Sequence, residues 1–405
     1  MATNTQGRRT VDLQTALHEP NILPDIVLVD GNLREAKFLA LLNQIPMAPT
    51  YNKEFSFYED AWLPLTDTTA ASFSASATTI NVTTGLAYIP GHLWKNKTTN
   101  EIVLVTSVNT SANKVDVERG VGRDSTNSTG TAAAAMSSGD TLIRLGPAMG
   151  EVSTRQVFQS TVPSKVFNYS QKWRWEVSMS DVQRKTRHIT GNDWDYQLDK
   201  TFRQARKDLN GAMYIGERNT GTFDGETKWF TGGVDFYIST NSLSVSGILH
   251  EYALVDWMRD EGLRYGPDQK TLLSSSGVIG AVTEIAMDKI VPSPVNLGTA
   301  EVKMGVSVLS YMSPTGGLMY MTEDRFLTEA MQGDARLLDM NVIRLRHFSG
   351  GGLDGRIKLI PNTQDTDADD SASTILGDMG LEIGPEKHHG KMTGVTGGAA
   401  GRAVS

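Results

Sequence analysis

Apolar and polar positions alternate most sharply over residues 172–180. Trp173, Trp175, Val177 and Met179 alternate with Lys172, Arg174, Glu176, Ser178 and Ser180. Successive strand residues point to opposite faces, so this run predicts a strand with one apolar and one charged face. Two tryptophans on one face carry a large area that must be covered. Over 193–215 the period becomes helical: Trp194, Leu198, Phe202, Ala205, Leu209, Ala212 and Met213 recur at three- and four-residue spacing. Thr190 and Asp193 have the spacing of a capping box, with Asp in place of Glu or Gln. Asp193 and Asp195 suit the positive end of the helix dipole. Lys200, Arg203, Arg206 and Lys207 cover the other face. Such a helix would be more than about 30 Å long, enough to serve as a spine for sheets.

Weaker patterns flank these two. Helices are predicted at 32–45 (Phe38, Leu39, Leu41, Leu42), 250–263 (Tyr252, Leu254, Val255, Trp257, Met258) and 278–291 (Val282, Ile285, Ala286, Ile290). Residues 53–63 read as extended, through Phe55, Phe57 and Ala61-Trp62-Leu63. Residues 66–147 hold short strands at 79–82, 101–105, 114–118 and 141–145, separated by turn residues such as Pro90-Gly91. That spacing predicts a small barrel or sandwich. The extended segments at about 53–64 and 165–180 bracket it, so the simplest arrangement is one long hairpin with the small domain at its tip. Later strands are expected at 270–274, at Val302, Met304, Val306 and Val308, and at 318–322, 340–346, 356–360 and 374–383. Residues 1–30, broken by Pro20 and Pro24, read as an arm. From Gly390 the glycines and threonines read as a flexible tail.

Composition adds limits. A chain of 405 residues exceeds one compact core, which stops growing at about 250–300 residues. With no cysteine, disulfides, thiolate metal sites and cysteine nucleophiles are excluded. The net charge of −8 argues against a dedicated nucleic-acid binder. No run approaches the roughly 18 apolar residues of a membrane span. The polar start lacks the pattern of a secretory signal, which points to manufacture in a cytoplasm. Apolar content of 39% is low for a globular chain. It fits a sheet- and loop-rich subunit whose surface is completed by neighbours.

Fragments that imitate chemical motifs fail on detail. Gly384 and Gly390-Lys391 enclose too many residues for a phosphate loop, and Met392 stands where Ser or Thr must follow the lysine. Gly120-Val121-Gly122 lacks the third glycine of a dinucleotide loop. Asp365, Asp367 and Asp369 have calcium-loop spacing, but Asp370 replaces the glycine and Leu376 the final glutamate. His388-His389 reads as an exposed tail pair with no third ligand nearby. Carboxylates are numerous and none is singled out, so a glycosidase pair stays open. Arg203, Arg206 and Lys207 read as a solvated helix face or as subunit ion pairs, with phosphate contact as the alternative. No catalytic, cofactor or metal residue is predicted.

The parts together form an assembly pattern. A projecting hairpin is unstable alone and gains support from a neighbouring subunit. The stretch Asn168-Tyr169-Ser170-Gln171-Lys172-Trp173-Arg174-Trp175-Glu176-Val177-Ser178, running into the helix at Asp193, resembles the returning strand of an extended loop followed by the spine helix. That pairing is found in major capsid proteins of tailed bacteriophages with the Hong Kong 97-type fold. Residues 66–147 resemble the small β-domain that a subgroup inserts in the loop. The resemblance implies an α+β chain with an N-terminal arm (1–30), an extended loop and its base (31–65 and 148–184) and the inserted β-barrel-like domain (66–147). It further implies a peripheral domain with the spine helix (185–240 and 336–390), an axial domain (241–335) and a flexible tail (391–405). It implies pentamers and hexamers closing into an icosahedral head, in the virion, around double-stranded DNA contacted non-specifically. Portal, scaffolding and decoration proteins are the implied partners, with no membrane and no cofactor. Lys172, Trp173, Arg174, Trp175, Glu176, Arg203, Arg206 and Lys207 are the candidate intersubunit contacts. A tail or decoration protein, or a β-rich carbohydrate-active protein, are the competing readings.

Overall fold

The computed structural model describes residues 36–123, 128–151, 161–186, 193–287, 310–313, 316–350 and 353–399. The expectations for residues 1–30, Thr190, Ile290, Val302, Met304, Val306 and Val308 lie outside the described residues. The chain divides into two compact units, Phe57–Val166 and the remainder.

The elements run as follows. The first are α1 (Lys37–Leu42), β1 (Ala48–Thr50) and β2 (Glu54–Glu59). Next come β3 (Thr66–Thr68), β4 (Thr79–Asn81), β5 (His92–Asn96), β6 (Ile102–Asn109), β7 (Lys114–Glu118) and β8 (Thr141–Pro147). They are followed by β9 (Ser164–Tyr169), β10 (Gln171–Ser180), α2 (Asp181–Lys185), α3 (Asp193–Ile215), β11 (Asn219–Phe223), β12 (Glu226–Phe230) and α4 (Val234–Tyr237). Then come β13 (Ser242–His250), α5 (Glu251–Trp257), β14 (Gln269–Ser274), α6 (Ser276–Met287), β15 (Ser310–Met312), β16 (Leu318–Glu323) and α7 (Arg325–Ala330). The last are β17 (Ala335–Leu338), β18 (Ile343–Phe348), β19 (Lys358–Pro361), β20 (Asp370–Ile383) and β21 (Gly390–Ala399).

In Phe57–Val166, six strands form one sheet in the order β3-β8-β5-β6-β7-β4. The first and last are linked as well: Ala70 N donates to Asn81 O (2.9 Å) and Thr83 N to Thr68 O (3.0 Å). Alternate side chains point inward, and Tyr88 stacks on Trp94 with ring centroids 4.1 Å apart. Ile80, Val103, Val115 and Leu142 complete this core. Glu101 and Arg119 pair inside it.

The other unit holds two sheets. One has the order β1-β18-β20-β10, with β19 also on β20. The C-terminal half of α3, with α1, α4 and α7, covers its apolar side: Phe38, Leu42, Leu209, Met213, Leu345 and Leu381 share one core. Asp324 caps α7 by accepting from Phe326 N (3.0 Å). It also accepts from Phe38 N and Tyr214 Oη, both at 3.0 Å. These donors tie α1, α3 and α7 at one buried carboxylate, whose pKa is raised by its burial. The second sheet has the order β13-β21-β17-β14-β16-β15 and packs α5 and α6 against it through Trp257, Met258, Val278, Val282 and Ile285.

Two expectations are corrected. The long hairpin is shorter than its sequence pattern implied: β2 pairs with β9, whereas β10 leaves for the first sheet. There it lies antiparallel to β20 from Gln171↔Met379 to Ser180↔Asp370. Ser170 marks the turn-off, its N donating to Lys53 O (2.8 Å) and its hydroxyl to Asp378 Oδ1 (2.6 Å). The apolar face beginning at Trp173 needs a helix over it, which a projecting arm cannot supply. The supposed tail is β21, an inner strand with Met392 and Val395 buried. Its glycines serve close packing. A Cβ on Gly390 would sit 2.7 Å from Trp257 Cζ2, and one on Gly398 would sit 1.9 Å from Ala281 O. Strands β3, β5 and β13 and helix α7 were not anticipated, whereas β9 falls in the extended segment read at 165–180. Most are short, and β13 alternates apolar residues with serines, a faint signal.

Candidate assembly surfaces

β10 presents its charged face outward, as its alternation predicts: Lys172, Arg174 and Glu176 are exposed, and Arg174 pairs with Glu176 in the same strand. The tryptophans of the opposite face are engaged within the chain. Trp173 is buried and donates Nε1–H to Met379 O (3.3 Å). Trp175 lies parallel to it at 5.8 Å between centroids and donates Nε1–H to Asp208 Oδ2 of α3 (2.9 Å). Trp173 and Trp175 therefore join strand to spine helix, and only the three charged residues of that group face outward.

Along α3, Arg203 pairs with Asp199 one turn away (2.9 Å), Arg206 is exposed and Lys207 is half-buried. Among the described residues, the apolar stripe is buried over only part of its length. Ala205, Leu209 and Met213 are buried, whereas Trp194, Leu198 and Phe202 are half-buried. Beside the stripe, Glu176, Ser178, Ser180, Gln183, Asp193 and Gln197 line an open polar groove between β10, α2 and α3.

The unit Phe57–Val166 exposes large apolar side chains that sequence reading did not single out. Trp62 is 97% exposed, Val162 88%, Tyr58 69% and Leu65 62%. Hydrogen bonds bring their segments together: Thr161 Oγ1 donates to Asp60 Oδ1 (2.5 Å), and Arg144 N donates to Leu65 O (2.9 Å), beside exposed Leu145. Single exposed apolar residues are ordinary, but several exposed on neighbouring segments are the kind of surface that associates with other bodies. The available signal was the broken alternation at Ala61-Trp62-Leu63, which leaves the tryptophan without a core-facing position.

His388-His389 is corrected from an exposed pair to part of a buried polar knot. Here the chain crosses between the two sheets at 238–241, 339–342 and 384–389. His389 is fully buried, accepts at Nδ1 from Asp339 N (3.3 Å), and is pushed down to about 3 by burial. His388 Nδ1 lies 3.2 Å from Asp339 Oδ2. Lys270 donates to the carbonyls of Gly262 (2.6 Å), Tyr265 (2.7 Å) and His388 (2.7 Å), and burial lowers it to about 8. The donors of Lys270 are consumed by backbone carbonyls, so this knot braces a crossing. Asp365, Asp367 and Asp369 are all exposed on their loop. Among the described residues, no group of three or more His, Asp or Glu side chains could hold a metal.

The described chain is thus built around sheets, a spine helix and exposed apolar side chains. The family model of the SU10 major capsid protein matches residues 6–396. The chain belongs to that family. It is a phage major capsid protein, a structural shell subunit rather than an enzyme, located in the virion capsid and associating with copies of itself. The capsid of cyanophage A-1(L) is similar at 11% identity and a TM-score of 0.48, over 95% of this chain and 98% of that one. The capsid of the native GTA particle is similar at 8% identity and 0.45, over 98% and 100%. The SrpI encapsulin from Synechococcus elongatus is similar at 10% identity and 0.38, over 60% and 80%. A comparison with curated proteins finds no match.

Proposed function

We propose that this capsid protein forms pentamers and hexamers that close into an icosahedral head around double-stranded DNA, with the Hong Kong 97-type fold. The observation that carries the proposal is the match to the major capsid family over nearly the whole chain. The exposed apolar side chains of the described residues support it. Heterologous contacts that close by rotation give rings, and many weak overlaps sum to a stable shell.

In this reading the β2–β9 ribbon is the base of the extended loop, and Phe57–Val166 carries a six-stranded barrel inserted in it. The links between β3 and β4 support closure of that barrel. The peripheral domain is the sheet β1-β18-β20-β10 with α3. The axial domain is the sheet from β13 to β15, and it takes in β17 and β21, which lie beyond the 241–335 boundary drawn from sequence. Lys172, Arg174, Glu176, Arg203, Arg206 and Lys207 form intersubunit ion pairs. The net charge of −8 suits a shell that encloses DNA without gripping it. Assembly takes place in the host cytoplasm with portal and scaffolding proteins.

Negative-stain electron microscopy of the purified protein, co-expressed with its scaffold, tests this. Capsomers, shells or tubes are expected. Persistent monomers under those conditions would overturn it.

A further inference from the structure

A β-strand at the end of a sheet presents a row of unused N–H and C=O groups, and proteins blunt such edges with charge, proline, brevity or a bulge. Most sheet ends in the larger unit follow that rule. β10 carries Lys172, Arg174 and Glu176, β1 is three residues long and contains Pro49, and β15 is three residues long. β13 departs from it. It ends its sheet, pairing with β21 alone among the described strands. It is nine residues long. From Phe236 to His250 there is no Asp, Glu, Lys, Arg or Pro.

β13 does carry one blunting device. Ser246 (φ 49°) and Gly247 (φ 150°) fall where the register with β21 shifts, so the strand is bulged there. The bulge leaves Ser242–Val245 as the flat, uncharged stretch. Its side chains alternate: Ser242 and Ser244 are exposed, while Leu243 and Val245 pack on the core of the second sheet. This stretch is held rigid from behind by three ladder pairs with β21, Ser242↔Lys391, Leu243↔Met392 and Ser244↔Thr393. Ser242 N already donates to Thr240 O (3.0 Å), so the outward groups of this template are Ser242 O and the N–H and C=O of Ser244, and its partner must supply backbone and need supply no charge.

We infer that the outer edge of Ser242–Val245 is an assembly contact, where an extended segment of a second copy of this chain adds as a further strand. The inference rests on the capsid reading. In a shell the neighbour present at highest effective concentration is another copy, and an edge contact of a few backbone hydrogen bonds becomes significant when repeated around a closed ring. An unprotected edge is a hazard for a free protein. It is compatible with a subunit whose working state keeps that edge covered.

The absence of native cysteine allows a direct test. Ser244→Cys, labelled with a benzophenone maleimide, is assembled from a mixture of 14N and 15N chains and photolysed in intact particles. The expected result is dimer-mass product whose cross-linked peptides combine both isotopes. Ser244→Lys/Ser242→Lys should reduce particle yield while leaving the thermal melt of the unassembled subunit unchanged. Cross-links confined within one chain would mean that the chain covers its own edge, and would overturn the inference. So would intact particles without cross-links, or cross-links only to another protein. If no particles form from the parent protein, the capsid reading falls first and this contact falls with it.

Discussion

Arg119 and Glu101 meet inside the unit Phe57–Val166 as a bidentate ion pair, Nε to Oε1 at 2.7 Å and Nη2 to Oε2 at 2.8 Å. Glu101 also accepts from Gly120 N (3.0 Å) and Ala134 N (3.2 Å), while Arg119 donates to the carbonyls of Ser74 and Ala134. The pair therefore pins three loops that have little apolar content of their own. Glu101→Gln leaves a buried guanidinium uncompensated and should cost about 3–5 kcal/mol. Limited proteolysis should then cut within Phe57–Val166 far faster. Replacing both partners, Glu101→Met with Arg119→Met, should recover part of the loss. Equal resistance in the single variant would contradict the assignment.

The buried histidine sets an acid limit. His389 sits at about 3 when folded, against an ordinary value of 6.5. Above pH 6.5 both states are neutral there, and its contribution is fully present. As pH falls from 6.5 toward 3, only the unfolded chain takes the proton, so stability drops by about 1.4 kcal/mol per pH unit at most. His389→Gln should flatten this slope relative to the parent. Denaturant titrations of the unassembled subunit at pH 7.5 and 5 provide the comparison.

Packing and assembly separate on the two faces of β10. Trp173→Ala removes a buried ring that joins sheet to helix and should cost about 3–5 kcal/mol of subunit stability. Lys172→Ala/Arg174→Ala alters only exposed positions and should shift it by about 0.5 kcal/mol or less. Shell yield should nonetheless fall in the double variant. Unchanged yield and shell stability would remove these residues from the intersubunit contacts.

β21 behaves as core. Met392→Ala should destabilise the subunit by about 2–5 kcal/mol in a thermal or denaturant melt. Gly398→Val should be harsher, because the new side chain meets Ala281 O. A melt unmoved by Met392→Ala would return the segment to a tail.

What was legible locally came out at the expected place. α3 spans Asp193–Ile215, and β10 alternates over Gln171–Ser180. Both have strong periods because each has a face covered by its own chain. The pairing partners were not legible. Nothing in Trp173 or Trp175 says that β20, two hundred residues on, lies beside them rather than β2. The buried position of His389 was equally hidden, since it arises from three crossings that meet only in the folded chain.

By itself the sequence determined the spine helix, the two-faced strand, the excluded cysteine chemistry and the strand-rich segment at 66–147, because these follow from local period and composition. Tertiary structure alone decided that β10 leaves the ribbon for a sheet and that the glycines of β21 are packing sites. It also decided that Trp62 faces outward and that β13 ends its sheet among the described strands. Each of these depends on which backbone lies alongside, and hydrogen-bond pairing between distant strands leaves no mark on the residues that make it.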